Sequence, residues 1–561
     1  MTCCTQVYRP IHPTLSPRAR GDFITPYWPV LSWREHIHED RGMPVPADAP
    51  RPSLIRRPRL WVWVIVIVGL LGACLSWIVA SPIGAGADED WHLDSVWCPG
   101  PAGTTCAIVG HSPTGAPLIA VPQAIAASSS CIDALKSDDA HCPVPYVPNA
   151  MEATFRHNIG QYPGGYYHVM HLFVSDNYLG SVWAIRITNA LLALGLIAAL
   201  CCLLPPAWRR LLVYTIAATF VPLCFYTITS VNPSAWGIAG VLTVFFGLTG
   251  VFVGRTRTRR VALGALAVVG VVLSALSRAD CAAMSALTAA AVAVIHLPRP
   301  RPLRPRAAAQ AWRGLRGQLV ALAAVFVVGV IGFLSAQQSE VLAPETGMAL
   351  SAQGPRNITE LGLLWHNITQ LPLLLDQLWL PRLGYPDFWV STLNGALGVG
   401  VALGLFVWGI AHRWTRRKLV AFLGVGFVTV ALPLYVAQAS FARLENAGLQ
   451  GRYMAPLLIV VFAIAMMRRD ATGADPLPPL PTLAAFGLLA AANCMALHTT
   501  IQRYVVDLAH PTLVMSSGVP AWPTGVGSPM FVWIAGSVAF AAALACLFAV
   551  RDAPARRAGR L

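Results

Sequence analysis

The stretch LWVWVIVIVGLLGACLSWIVASPIGAGADEDWHLD, residues 60–94, decides how the rest of the chain is read. Its first part, 60–80, carries no charge. As a helix it is about 30 Å long, the thickness of a bilayer's hydrocarbon core. Its last nine residues, 86–94, then hold Asp88, Glu89, Asp90, Asp94 and His92, in a chain that is only 12% charged. An apolar span ending in a knot of carboxylates points to a membrane protein with polar work at one end of its helices.

Working outward, apolar runs of similar length recur. They predict about twelve transmembrane helices: roughly 60–80, 181–204, 211–230, 235–254, 261–277, 281–297, 318–336, 390–411, 419–438, 452–467, 482–499 and 530–550. The fold class expected is an all-α integral membrane protein. Residues 1–59 and 551–561 read as basic cytoplasmic tails, the first of them disordered, and 60–550 as the polytopic domain. The first 59 residues lack the form of a secretory signal.

The basic residues test this map. With the N-terminus inside and the spans alternating, segments such as 51–59, 207–210, 255–260, 299–306, 412–418 and 467–470 fall inside. Together with both tails, the inside segments hold 31 of the 40 Lys and Arg. This is the bias expected of cytoplasmic loops. The expected location is therefore the cell membrane, with both termini cytoplasmic. The net charge of +15 is divided among short loops, which argues against a nucleic-acid partner.

Long outer loops are expected at about 81–180, 337–389 and 500–529. The first contains Cys98, Cys106, Cys131 and Cys142, an even number in an extracytoplasmic segment, which suggests two disulfides. Three pairings are open, and 98–106 with 131–142 is the most local. A zinc site fits less well, because the spacings are too wide. Residues 112–130 are apolar enough for a short interfacial helix. The aromatic stretch QYPGGYYHVMH (161–171) suits the headgroup level as an anchor.

The remaining bases break the inside pattern. Arg186 lies within a span, and Arg278 ends one in the sequence SRAD, beside Asp280. RLGYPD (382–387) puts Asp387 before another, and LQGRYMAP (449–456) puts Gln450, Arg452 and Tyr453 at the start of a third. Ionisable groups at membrane depth are costly and tend to be functional, and arginine suits bidentate contact with phosphate. Arg278 and Asp280 would pair with each other on the simpler reading, and the acids of 88–94 would be merely solvated. Read functionally, a carboxylate at the end of a span is a general base, a cation ligand or an acceptor for a sugar hydroxyl.

These residues resemble a family of bacterial multi-pass membrane proteins filed as a domain of unknown function (family 2142), itself similar to GT-C glycosyltransferases. The family's Pro-Pro-Asp-Glu-x-x-His looks like Gly86-Ala87-Asp88-Glu89-Asp90-Trp91-His92, without the two prolines. Its Gln-Tyr-Pro-Pro-x-Tyr-Tyr looks like residues 161–167, and its Gly-Trp-x-Asp like Gly384-Tyr385-Pro386-Asp387. Its Gln-Gly-Arg-Tyr-x-x-Pro matches Gln450 to Pro456 in full. The resemblance spans roughly residues 60–550.

It implies a GT-C-like fold and transfer of a sugar from a polyprenyl-phosphate carrier to a cell-envelope glycan or lipid acceptor at the outer face. Asp88, Glu89 and His92 would form the catalytic group. Arg186, Arg278, Asp280, Asp387, Gln450, Arg452 and Tyr453 would bind substrate. A divalent cation (Mg or Mn), if used, would sit on Asp88 and Glu89. Lipid-linked sugar, acceptor and membrane lipid are the partners implied. The rival class is a multi-pass transporter or lipid-linked sugar flippase without catalysis. It would favour internal repeats and polar groups near the midplane, whereas no repeat is evident and the notable charges lie at helix ends.

Overall fold

The computed structural model describes residues 60–86, 88–113, 115–134, 150–158, 160–297, 314–336, 358–383, 388–412, 414–446, 448–468, 473–506, 512–515, 522 and 525–550. The chain divides into two units, 1–55 and 56–561, and only the second contains described residues.

The second unit is a helical membrane domain. The first span is α1 (Leu60–Val79), followed by the short α2 (Glu89–Trp97). An extramembrane section holds β1 (Ile108–His111), β2 (Pro117–Pro122), α3 (Gln123–Ala134), β3 (Met151–Thr154) and α4 (Gly165–His171). Then come α5 (Tyr178–Leu203), α6 (Pro206–Thr219), α7 (Leu223–Ile228), α8 (Ser234–Val253), α9 (Arg257–Ser277), α10 (Ala279–His296) and α11 (Arg316–Leu334). The last elements are α12 (Glu360–Asp376), the two-residue strands β4 (Arg382–Leu383) and β5 (Phe388–Trp389), α13 (Thr392–Ile410), α14 (Arg416–Ala439), α15 (Gly451–Met466), α16 (Pro479–Val505) and α17 (Pro529–Val550).

Among the described residues ten helices are long and apolar enough to cross a membrane: α1, α5, α8, α9, α10, α11, α13, α14, α16 and α17. Two of the twelve expected spans fall short. The run 211–230 is divided into α6 and α7 around Phe220–Pro222, where a proline cannot continue the preceding helix. The run 452–467 is a helix of 16 residues, about 24 Å by helical rise and thinner than the hydrocarbon core.

Helix α8 is the centre of the bundle. Of its membrane-length window 89% is buried, against 22% for α14. It packs on α5, α9, α10 and α15. Small residues permit the closest of these contacts: a Cβ on Gly240 would stand 2.6 Å from the Gly270 carbonyl, and one on Gly270 would stand 2.6 Å from that of Gly240. Backbone approach through glycine is the usual means of joining helices where lipid supplies no hydrophobic drive. Peripheral helices instead turn large apolar side chains outward, as α1 does with Trp61, Ile67 and Val68, which suits a lipid surround.

The extramembrane section contains a three-stranded antiparallel sheet in the order β1-β2-β3, with Ile119 opposite Thr154 and Val121 opposite Glu152. This corrects the interfacial helix expected at 112–130, which divides into β2 and the start of α3. Ile119, Val121 and Ile125 point into the core, so the apolar character reflects burial against protein. Cys98 and Cys106 form a disulfide. Cys142 lies outside the described residues, as does the side chain of Cys131.

Candidate functional site

Asp88 is the hinge of the site. It precedes α2 in the left-handed conformation (φ 50°), uncommon for a residue with a side chain. Its carboxylate reaches across the bundle to the start of α15. Arg452 Nη2 donates to Oδ2 and forms an ion pair with it. Tyr453 donates its hydroxyl to Oδ2 at 3.2 Å, and Gln450 Nε2 donates to Oδ1 at 3.3 Å. The Asp88 side chain remains 24% exposed. Burial acts to raise its carboxyl, but Arg452, His92 and the bonds from Gln450 and Tyr453 together hold it below the usual carboxylate range.

The neighbouring acid has a different fate. Glu89 is wholly buried. It accepts Arg186 Nε at 2.8 Å and Arg186 Nη2, the Val231 amide at 2.9 Å and the Gly86 amide at 3.0 Å. Arg186 gives its other N–H groups to the carbonyls of Ile78 (2.6 Å), Ser81 (2.8 Å) and Pro82 (2.9 Å). All five guanidinium donors are used. The pair therefore ties the end of α1, the start of α2, α5 and the segment before α8 into one knot.

Arg278 stands between α9 and α10. It closes a two-pronged pair on Asp280, with Nε at 2.9 Å from Oδ1 and Nη2 at 2.7 Å from Oδ2. Its guanidinium lies 4.2 Å from the ring centre of Tyr453 and 5.5 Å from that of Tyr162. The simpler expectation of an Arg278–Asp280 pair thus holds, and the pair also reaches the Asp88 cluster through Tyr453. Both Arg278 and Arg452 meet that ring, so two cations, one paired with Asp280 and one with Asp88, share one aromatic neighbour.

His92, one turn on from Asp88, faces the same cluster. Its Nδ1 lies 2.9 Å from the Tyr167 hydroxyl, and its ring meets Tyr162 edge-on at 5.3 Å. Burial, opposed in part by Asp88, lowers its pKa to about 3, so the imidazole is neutral near pH 7. Tyr166 and Tyr167 are buried. Tyr162 and Tyr167 thus line the site and Tyr166 packs on Trp236, so these rings are enclosed by protein, a correction to their expected role as a headgroup-level anchor.

The Gln-Gly-Arg-Tyr start of α15 has a steric reason for its glycine. A Cβ on Gly451 would lie 2.5 Å from that of Gln377 and 3.1 Å from the Leu374 carbonyl. The Gly451 amide donates to Gln377 Oε1 at 2.8 Å. The end of α12 therefore seats the residues that hold Asp88, which no sequence signal announced. Tyr162 and Tyr167 lay in the quoted 161–167 motif without a role, and Gln377 and Ser234, whose Oγ accepts from Arg278 Nη1 at 3.4 Å, were not singled out by the sequence. Asp387 lies outside the described residues.

On this geometry the described residues bring together Asp88, His92, Arg278, Asp280, Gln450, Arg452 and Tyr453, with Glu89 and Arg186 locked behind them. The family profile described as Predicted membrane protein (DUF2142) matches residues 70–462. The chain belongs to the DUF2142 family. No curated protein and no solved structure matches it significantly. The matched part of this DUF2142 protein runs from α1 into α15 and so contains every residue of the cluster. Among the described residues of this DUF2142 protein, no three of His, Cys, Asp and Glu come together as metal ligands. Asp88 is engaged by Arg452 and Glu89 by Arg186, so these two carboxylates do not fit the divalent cation that the resemblance implied for them.

Proposed function

We propose that this DUF2142 protein is a membrane glycosyltransferase. It would take a sugar from a polyprenyl-phosphate carrier and pass it to a cell-envelope acceptor at the outer face of the membrane. The observation that carries this reading is one partly exposed carboxylate, Asp88, paired with the buried Arg452, with a second buried arginine, Arg278, against the same Tyr453 ring at an end of the bundle. A base beside cations is the arrangement that displacement of a phosphate leaving group from a sugar requires.

In the reaction, the acceptor hydroxyl oxygen forms a bond to the anomeric carbon while the bond from that carbon to the phosphate oxygen breaks. The electron pair leaves with the polyprenyl phosphate, whose charge grows by one unit. The hydroxyl proton passes to Asp88 and from there to water. Arg452 and Arg278 balance the growing phosphate charge. His92, neutral and held by Tyr167, offers a hydrogen bond to a sugar hydroxyl. Of the two acids 88 and 89, Asp88 is the base in this scheme, because Glu89 has no face open to substrate. Orientation with both termini cytoplasmic belongs to the same proposal.

The test uses membranes containing the wild type, Asp88→Asn, Glu89→Gln and Arg452→Ala, supplied with radiolabelled sugar on a panel of polyprenyl-phosphate donors. Loss of a general base is expected to lower transfer by roughly 10²-fold or more in Asp88→Asn at unchanged protein level. Full transfer by Asp88→Asn and Arg452→Ala would remove the assignment. Movement of labelled carrier across the bilayer without bond transfer would support the transporter instead.

A further inference from the structure

Three arginines stand in or behind the site, and they differ in one respect. An arginine presents its side-on fork through Nε and Nη2, matched to two oxygens of a carboxylate or phosphate. Arg186 closes that fork on Glu89, and Arg278 closes it on Asp280. Arg452 does not. Its Nη2 meets Asp88 Oδ2, while its Nε is buried with no hydrogen-bond partner. A buried donor left unsatisfied is costly, and the whole Arg452 residue is 4% exposed. Half of a phosphate-shaped fork is thus occupied by the proposed base, and the other half is unmatched.

We propose that Asp88 holds, in the substrate-free protein, the place of the carrier's phosphate on Arg452, so that arrival of the donor displaces the carboxylate and frees it to act as the base. The proposal rests on the glycosyltransferase reading of the same site and deepens it. Two phosphate oxygens on Nε and Nη2 satisfy both donors of Arg452, which the single Asp88 contact does not. The released carboxylate keeps Gln450 and Tyr453 as neighbours but loses its strongest opposite charge. Burial, the largest influence on Asp88, then favours the protonated form. The carboxylate is a weak base while the site is empty and a stronger one when the leaving group is in place. Asp88→Asn removes the competing charge, so the exchange makes an unusual demand: the variant that slows transfer binds the phosphate better.

The experiment titrates farnesyl phosphate, a short prenyl phosphate, into the full chain in phosphatidylcholine nanodiscs. Binding is followed for the wild type, Asp88→Asn, Asp88→Ala and Arg452→Gln, with inorganic phosphate as a parallel ligand. Folding of each variant is checked by its thermal midpoint, and the alanine variant serves if the asparagine variant does not fold. The expected result is binding about tenfold tighter in the Asp88 variants and loss of binding in Arg452→Gln. The same tightening with inorganic phosphate would support the exchange and show that the anion alone drives it. Equal or weaker binding in the Asp88 variants, with loss in Arg452→Gln, would overturn the exchange while leaving Arg452 as the phosphate contact. Unchanged binding in Arg452→Gln would remove the phosphate site itself. In nanodiscs containing phosphatidylglycerol, loss of the tightening would make the occupant of Arg452 a bilayer headgroup and overturn release by the donor.

Discussion

Asp88 and Glu89 are adjacent and chemically alike, yet their surroundings give them opposite uses. Asp88 faces two side chains of α15 and that of Gln450 just before it, and keeps about a quarter of its side-chain surface open. Glu89 is enclosed by one guanidinium and two amides. Removing one member of a buried ion pair leaves the other charge uncompensated and costs about 3–5 kcal/mol. Glu89→Gln is therefore expected to lower stability, seen as a fall in thermal midpoint or abundance, by more than Asp88→Asn, whose carboxylate is 24% exposed and whose loss strands Arg452 beside the open part of the site. A double replacement, Glu89→Gln with Arg186→Met, is expected to regain much of the loss, because the stranded cation is gone. If Glu89→Gln unfolds no more readily than wild type, the knot is not structural. The sequence singled out both acids and Arg186 but did not divide their roles. The division depends on the direction each side chain takes from a residue at positive φ, which residue order does not encode.

At the scale of elements, α2 carries a second set of buried acids, held against β3 and the segment that follows it. Asp90 pairs with Arg156, and Asp94 Oδ2 accepts from Thr154 Oγ1 at 2.9 Å. Burial raises Asp90 to about 7 and Asp94 to about 8. Arg156 opposes the shift at both acids, Thr154 opposes it at Asp94, Asp88 adds to it at Asp90, and Asp90 and Glu152 add to it at Asp94. Their ordinary value is 3.8. The folded form thus binds more protons than the unfolded form between about pH 4 and 8, so stability is full below that window and falls as pH rises through it. Amide exchange in α2 and β3 is expected to be faster at pH 8 than at pH 5 after correction for intrinsic rates. Asp90→Asn with Asp94→Asn should flatten the difference; an unchanged difference would exclude these acids as its source. Helices such as α1, α8 and α17 were legible because uncharged length is enough to specify a span. The breaks were not: Pro222 divided a run whose hydropathy was continuous, and α15 was apolar but too short. The sheet was missed because β2 is buried on alternate residues, with no polar partner side to mark the alternation.

At the scale of the molecule, the basic loops and the site are expected on opposite faces of the membrane. Gly115 lies between β1 and β2 with nothing within 4 Å of an added Cβ, at φ +84°, so an epitope inserted beside it with this glycine kept should be tolerated. Added antibody is expected to reach it on intact cells, and to reach an epitope between α8 and α9 only after permeabilisation. The reverse result would invert the orientation proposed here. The overall plan was therefore readable from charge and length, and topology with the resemblance put Asp88, Gln450, Arg452 and Tyr453 at one outer site, but their direct contacts were not readable, since they join residues more than 360 apart in the chain. The Arg186–Glu89 knot carries a further consequence, for biosynthesis. A lone arginine in a span resists insertion by about 2.5–3.5 kcal/mol at the helix centre. Glu89 and the carbonyls of Ile78, Ser81 and Pro82 leave the ribosome about 100 residues before Arg186, at roughly 5–20 residues per second. The acceptors are thus in place when α5 reaches the insertion machinery, so entry of α5 depends on the preceding span having been made first.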